Sequence, residues 1–219
     1  METSYFLQGA KKALIENLKQ KGITDKNILS AFDIVERHLF LESFMWDKAY
    51  LDIALPIHHG QTISQPYTVA FQSQLLEVIK GDKILEIGTG SGFQAAILSA
   101  MGAKVYSVER HLELHQKTKL LLEKIDYRII LHYGDGFKGW PKYAPFDKII
   151  VTCGAPNVPT TLLDQLKING MIVIPVGEKS QKMIRITKLD EENYKEEEFG
   201  NFVFVPMLEN KTRSDKTSF

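Results

Sequence analysis

Three glycines at every second position, Gly88, Gly90 and Gly92, follow the apolar run Lys83 to Ile87. The Ala-, Ile- and Leu-rich stretch Phe93 to Met101 comes next, and Gly102 closes it. The order reads as strand, glycine turn, helix. Glycine admits positive φ and lets a ligand approach the backbone. The start of the helix presents free N–H groups and a positive dipole end to whatever occupies the turn. A dinucleotide fingerprint wants Gly-x-Gly-x-x-Gly, and here the third glycine arrives one residue early. Lys104 to Val108 reads as the next strand, and Glu109 ends it at about 20 residues from the loop, the offset of a ribose-binding carboxylate. Glu86, just ahead of the glycines, would repel a phosphate and suit a cation. The pattern points to a nucleoside-bearing cofactor without an obvious pyrophosphate; the competing reading is an ordinary strand–helix turn.

A second stretch with chemistry is Gln61-Thr62-Ile63-Ser64-Gln65-Pro66-Tyr67. Pro66 suits the first helical position, so Ser64 or Gln65 is the expected cap. Hydroxyl and amide side chains thus crowd a helix N-terminus just ahead of the glycine loop. On local spacing alone Ser64 reads as a plain cap. His111 and His115 stand four apart on a helix, but Leu112 occupies the place where a zincin needs Glu, so they read as a solvated helix face. The adjacent His58 and His59 point oppositely in an extended segment and read as lid or substrate contacts sooner than metal ligands. Cys153 at a strand end, with no base beside it in sequence, reads as a small buried wall residue.

The elements that must position these residues alternate. An amphipathic helix over 5–21 ends at Gly22, and Thr24 or Asp25 caps a second one. A helix from Pro66 with the stripe Tyr67, Phe71, Leu75, Val78 and Ile79 ends at Gly81. After the loop come a helix over 111–124, a strand over Arg128 to Tyr133, the turn Gly134-Asp135-Gly136, and a strand over Asp147 to Cys153. A helix from Pro159 through Leu166, a turn at Asn169-Gly170 and a strand over Met171 to Val176 follow. Met183 to Leu189 and Tyr194 to Val205 read as an antiparallel pair. The alternation predicts an α/β fold: a doubly wound, mostly parallel sheet with N-terminal helices and an antiparallel C-terminal strand pair. Ligands bind such sheets at the carboxyl ends of the strands. Glu86, Gly88, Glu109, Gly134, Asp135, Gly136 and Gly154 gather there.

Composition narrows the class. Lys and Arg total 27 and so do Asp and Glu, so no net field selects nucleic acid or an anionic membrane. The apolar runs are too short to span a bilayer, and Met1 to Tyr5 carries no basic head or apolar region of a signal peptide. One cysteine excludes an internal disulfide. A cytoplasmic protein is the expected fit.

An acid before the glycines and another after the second strand resemble the S-adenosylmethionine-dependent methyltransferases. Within that class, Gly60-Gln-Thr-Ile-Ser-Gln-Pro-Tyr67, Leu85-Glu-Ile-Gly-Thr-Gly-Ser-Gly92, Ser107-Val-Glu-Arg110, Gly134-Asp-Gly136, Pro145-Phe-Asp147, Ile174-Pro-Val-Gly177 and Phe204-Val-Pro206 resemble the protein-L-isoaspartate (D-aspartate) O-methyltransferases. The Gln-Thr-Ile-Ser-Gln-Pro block is the specific one, and it raises Ser64 above a plain cap.

The resemblance runs from about residue 30 to 207; with the element order it gives a methyltransferase domain over 56–208 and a helical appendage over 1–55 packed on it, and polar composition makes 209–219 a frayed tail. The resemblance implies methyl esterification of L-isoaspartyl and D-aspartyl carboxylates in damaged proteins, with repair through a succinimide, by a cytoplasmic monomer without metal. The last two strands would be exchanged relative to other methyltransferases. Ser64 would hold the acceptor carboxylate. Gln61, Ile63, Ser64, Glu86, Gly88, Thr89, Gly90, Gly92, Glu109, Arg110, Gly134, Asp135 and Gly136 would surround S-adenosyl-L-methionine, with Asp135 at the adenine amino group. Thr62, Ser64, Val205 and Pro206 would meet the isoaspartyl peptide, the last two by extended pairing. Met207-Leu208-Glu209 departs from the family's usual Pro-Leu and small polar residue at the wall of that cleft. The alternatives are a methyltransferase for another acceptor, or a non-catalytic adaptor that binds the cofactor. A nicotinamide dehydrogenase is disfavoured by the glycine spacing.

Overall fold

A computed structural model describes residues 2–212. Helices α1 (Glu2–Gln20) and α2 (Lys26–Ile34) lead into 3-10 turns at Arg37–Phe40 and Ser43–Lys48. A small antiparallel ladder of β1 (Leu55–Pro56) and β2 (Thr62–Ile63) precedes α3 (Pro66–Leu76). Then come β3 (Lys83–Ile87), α4 (Phe93–Ala100), β4 (Lys104–Glu109), α5 (Leu112–Lys124), β5 (Ile130–Tyr133) and β6 (Phe146–Val151). The chain continues through α6 (Thr160–Leu163), β7 (Leu166–Val176), β8 (Gln181–Lys188) and β9 (Tyr194–Phe202).

Among the described residues, seven strands form one sheet in the order β5-β4-β3-β6-β7-β8-β9. The first five are parallel, while β8 and β9 run antiparallel to their neighbours. This is the α/β architecture expected. β8, not the last strand, adjoins β7, in keeping with the implied strand exchange. Strand order reverses at β3, which lies between β4 and β6, and that switch point opens the crevice for a ligand.

The period of two along each strand sorts side chains into two cores. Ile84, Val105, Ile150 and Val173 face α1 to α4. Leu85, Ile87, Val108, Ile149, Val151 and Ile172 face α6 and the aromatic loop around Trp140 and Tyr143. The N-terminal helices share the first core, with Leu7, Leu14, Leu18, Ile28 and Phe32 all buried in it.

Several local expectations need correction. α3 stops at Leu76 because Glu77 turns left-handed at φ 50°; Gly81, at φ 96°, turns the chain into β3 instead. α3 packs on β6 and β7 on one side and on α1 and α2 on the other, so Val69, Gln72, Ser73 and Leu76 are buried while Ile79 is 67% exposed. A helix covered on opposite sides has no single apolar stripe. The helix after Pro159 ends at Leu163, and Leu166 already pairs with Phe146 in β7. Asn169 and Gly170 do not separate two elements. Asn169 at φ 63° sits in a register shift within β7, a bulge that absorbs the extra residues. β9 ends at Phe202, short of Val205. Residues 209–212 are pinned by backbone pairs between Thr212 and the Arg110–Leu112 segment, so they are not frayed; 213–219 lie outside the described residues.

Of the two caps expected for α3, the structure takes Gln65, which makes no side-chain cap bond. Asp52 Oδ1, from the preceding loop, accepts from Tyr67 N at 2.7 Å, and its Oδ2 pairs with Lys21 at 2.5 Å. Ser64 is thereby released from the capping role. Asp52→Ala is expected to lower stability by about 1–2 kcal/mol, the typical worth of an N-cap, while Asp52→Asn keeps most of it. Urea unfolding midpoints of the three proteins check this; equal midpoints would remove Asp52 as the cap.

Candidate active site

The glycine loop is shaped by its neighbours. Gly88, Gly90 and Gly92 sit at φ 96°, 52° and 86°, the left-handed region. A Cβ on Gly88 would stand 2.6 Å from Thr152 Oγ1, and one on Gly92 would stand 2.8 Å from Thr118 Cγ2. Both threonines hold the loop: Thr152 Oγ1 donates to Gly88 O at 2.6 Å, and Thr118 Oγ1 donates to Gly90 O at 2.7 Å. Glu109, 5% exposed, closes the arrangement. Its Oε2 accepts from Gly90 N and its Oε1 from His111 N, each at 2.9 Å.

Above this loop lies a cavity of about 870 Å³, counting its open mouth. Its wall brings together Gln61, Thr62, Ile63, Ser64, Gly88, Thr89, Gly90, Glu109, Arg110, Gly136, Val205 and Pro206, from segments far apart in sequence. Val69, Ile87, Phe93, Gln94, Thr152, Cys153, Met207 and Leu208 line it as well. Phe93 and Gln94 follow the loop directly, so the helix start itself was the signal for them. Thr152 was readable only as a strand end. Met207 had no signal beyond its departure from the family pattern; it is 6% exposed, and its Cε would lie 3.2 Å from a Cβ on Gly136.

Glu86, Gly92, Gly134 and Asp135 are not in the wall. Strand parity explains Glu86. It shares the face of Ile84 and turns under α4, fully buried. There its Oε2 accepts from Ser107 Oγ, which also pairs with Thr89 Oγ1 at 2.6 Å. Among the described residues its Oε1 has no partner. Burial pushes its pKa up to about 8, the nearby Glu109 charge adds to this, and the Ser107 bond opposes it. At neutral pH it is therefore mostly a neutral acid, not the anion that the sequence suggested for a cation. Gly134 and Gly92 serve the backbone: a Cβ on Gly134 would strike the His132 ring at 2.5 Å. Asp135 caps the 3-10 turn Gly136–Lys138, its Oδ1 accepting from Phe137 N at 3.0 Å and its Oδ2 from Asn210 N at 3.1 Å.

The C-terminal segment crosses the strand ends. Gly154 N donates to Val205 O at 2.8 Å, and Met207 N donates to Gly154 O at 2.7 Å. In an extended segment these groups of Val205 and Met207 point the same way. Gly154 thus occupies that edge of the segment, and the Pro206 carbonyl points to the other. Arg110 Nε then donates to Asn210 O at 3.0 Å. At the other rim, the hairpin tip is latched to α5. His58 Nε2 meets Glu42 Oε1 at 3.0 Å beside Lys117, and His59 pairs with Glu113 at 3.2 Å while its ring stacks on His111 at 5.6 Å. These contacts tie the hairpin tip to α5. Burial, with the charges of Glu109 and Glu86, pushes the Cys153 thiol up to about 12, so it stays protonated as a wall residue.

The family model described as protein-L-isoaspartate(D-aspartate) O-methyltransferase (PCMT) matches residues 9–212. A protein-L-isoaspartate O-methyltransferase of Flavobacterium psychrophilum is 60% identical over 205 residues, covering 93% of this chain and 96% of the relative. That of Christiangramia forsetii is 54% identical over 212 residues, covering 96% and 100%. A solved protein-L-isoaspartate O-methyltransferase superposes with a TM-score of 0.84 at 30% identity, over 91% of this chain and 66% of that longer one. A Plasmodium falciparum structure in complex with S-adenosyl-L-homocysteine shares the fold, with a TM-score of 0.79 at 24% identity over 91% and 98% of the two chains.

The Glu86 carboxyl makes a pH signature. Its folded pKa, about 8, lies above its ordinary value of 4.5, so between these the folded state keeps a proton that the unfolded chain has lost. Stability therefore falls as pH rises through that window, at up to about 1.4 kcal/mol per pH unit from this group. Glu86→Gln is expected to gain relative to the parent between pH 5 and pH 8. Urea unfolding at both pH values checks it; a constant difference would contradict the raised pKa.

Proposed function

Because the chain belongs to the protein-L-isoaspartate(D-aspartate) O-methyltransferase family, we propose that Ser64 holds the acceptor carboxylate across the cavity from a cofactor seated on the glycine loop and Glu109. The enzyme transfers a methyl group from S-adenosyl-L-methionine to isoaspartyl residues of damaged proteins, a step of their repair. The observation that carries the site assignment is that Gln61 to Ser64, Gly88 to Gly90 and Glu109 line one cavity.

The residues fit this cofactor. Each oxygen of Glu109 accepts one backbone N–H and keeps lone-pair capacity for a ribose hydroxyl. A Cβ on Gly136 would stand 2.5 Å from Ile87 Cγ2, so only glycine leaves that wall open for a flat ring. Asp135 stands behind Gly136 outside the wall, each oxygen accepting one backbone N–H, and would reach the adenine amino group with its remaining lone pairs. Gln61, Ile63, Thr89 and Arg110 complete the enclosure. Glu86 acts from beneath, through Ser107 and Thr89.

When bound, S-adenosyl-L-methionine supplies a methyl group on a positively charged sulfur. The acceptor carboxylate is already ionised at neutral pH, so the chain needs no strong base. Ser64 donates its hydroxyl to that carboxylate and fixes it in line, and Thr62, Val205 and Pro206 bound the peptide side. The rate comes from near-attack placement with water excluded. A backbone amide nitrogen of the substrate then displaces methanol from the ester to close a succinimide, which water can reopen as normal aspartate. Among the described residues no helix is long and apolar enough to cross a membrane, and the charge balance offers no field for nucleic acid. The reading extends to a cytoplasmic monomer.

Incubation with labelled cofactor is expected to esterify an isoaspartyl peptide and leave its aspartyl twin unlabelled; equal labelling of the two would overturn the substrate reading. Ser64→Ala is expected to lower kcat/KM for the isoaspartyl peptide by about 10- to 100-fold, the worth of a hydrogen bond to a charged group. Calorimetry should find S-adenosyl-L-homocysteine binding unchanged. Full turnover in this variant would remove Ser64 from the acceptor site.

A further inference from the structure

Arg37 stands on the 3-10 turn after α2, and it is only 1% exposed. A guanidinium so buried usually sits on a carboxylate, yet among the described residues this one has no carboxylate at ion-pair distance. Its partners are backbone carbonyls. Nη1 donates to Ala49 O, and Nη2 donates to Ile53 O at 3.2 Å and to Ser64 O at 3.0 Å. Its central carbon lies 5.6 Å over the ring of Phe93. Burial pushes its pKa down to about 10, with the charges of Asp52 and Tyr50 opposing, so it remains a cation at neutral pH.

The groups it joins are not arbitrary. Ser64 and Phe93 both line the cavity, one on the acceptor side and one at the first turn after the glycine loop. Ala49 and Ile53 flank Asp52, which caps the helix that follows Ser64. A planar fork with fixed donor directions can hold carbonyls and a ring face together, whereas an ammonium is a single point of charge. An apolar side chain would fill the same volume without burying a cation, but it would leave Ser64 untied from Phe93.

We propose that Arg37 is a positioning residue for methyl transfer, fixing Ser64 relative to the glycine loop through the Ser64 carbonyl and the Phe93 ring. This rests on the reading of Ser64 as the group that holds the acceptor. Arg37 touches neither substrate nor cofactor, and it acts by setting the distance between their two sides.

A double-mutant cycle tests it at saturating cofactor and well below the unfolding temperature. Arg37→Lys is expected to lower kcat for an isoaspartyl peptide by up to about 100-fold, the effect of a misplacement near 1 Å. Its affinity for S-adenosyl-L-homocysteine, read by calorimetry, should stay that of the parent. Arg37→Lys combined with Ser64→Ala is expected to be no slower than Ser64→Ala alone, because residues acting as a unit do not add. Losses that multiply would overturn the inference, as would a parent-like kcat in Arg37→Lys. If Ser64→Ala by itself turns over normally, the acceptor reading fails instead. Should Arg37→Lys not fold by circular dichroism, Phe93→Leu removes the ring beneath the guanidinium, and the same cycle with Ser64→Ala gives the same opposed outcomes.

Discussion

The tie on which the rest of the site depends is the Glu109 carboxylate, which accepts from Gly90 N and His111 N. It joins the glycine loop after β3 to the start of α5, beside the strand-order switch point. These are charge-assisted bonds in a nearly dry place, and such bonds are the stronger kind. With the Thr152 and Thr118 hydroxyls on the Gly88 and Gly90 carbonyls, they fix a loop of left-handed glycines. The same oxygens face the cavity, so the atoms that shape the loop are those available to a ribose. Loop geometry and ligand contact are one arrangement, and neither can be altered without the other.

Around that tie, the protein buries groups of opposite chemical kind for one purpose. Glu86 lies beneath the loop as a mostly neutral acid, steadying Thr89 through Ser107. Arg37 lies beneath Ser64 as a cation on carbonyls. Neither touches the cavity. The wall itself is built from backbone, hydroxyls, amides, apolar side chains and a thiol held in its protonated form, with Glu109 and Arg110 as charged groups. This suits a transfer between a cationic donor and an anionic acceptor. The chain need not make or remove a proton; it has to bring two partners together and keep water out.

Much of this could be read from residue order. The run Lys83–Ile87, the alternating glycines and Glu109 fixed the strands and the loop because burial and positive φ leave few residue choices there. Ser64 was found through its block, not through local geometry, and its capping role proved to belong to Asp52, a side chain 12 residues earlier that only tertiary packing delivers. Glu86 was misread because a residue ahead of the glycines can face either side of the sheet, and strand parity turned it under α4. The bulge at Asn169 and the early start of β7 depended on pairing with β6, which no local signal carries. Val205 and Pro206 were expected to meet a peptide by extended pairing; the pairing of one edge of that segment with Gly154 came from tertiary packing that residue order does not carry.

The segment from Val205 to Thr212 bridges Gly154, Asp135 and the Arg110–Leu112 turn. Thr212 pairs with a residue about a hundred positions back along the chain, and such distant pairings are the slow ones to form. The crossing takes its partners from the strand ends of β4, β5 and β6, so the cavity wall containing Met207 depends on three separate ends at once. A displacement of any one of those ends would therefore reach the chamber through this single crossing.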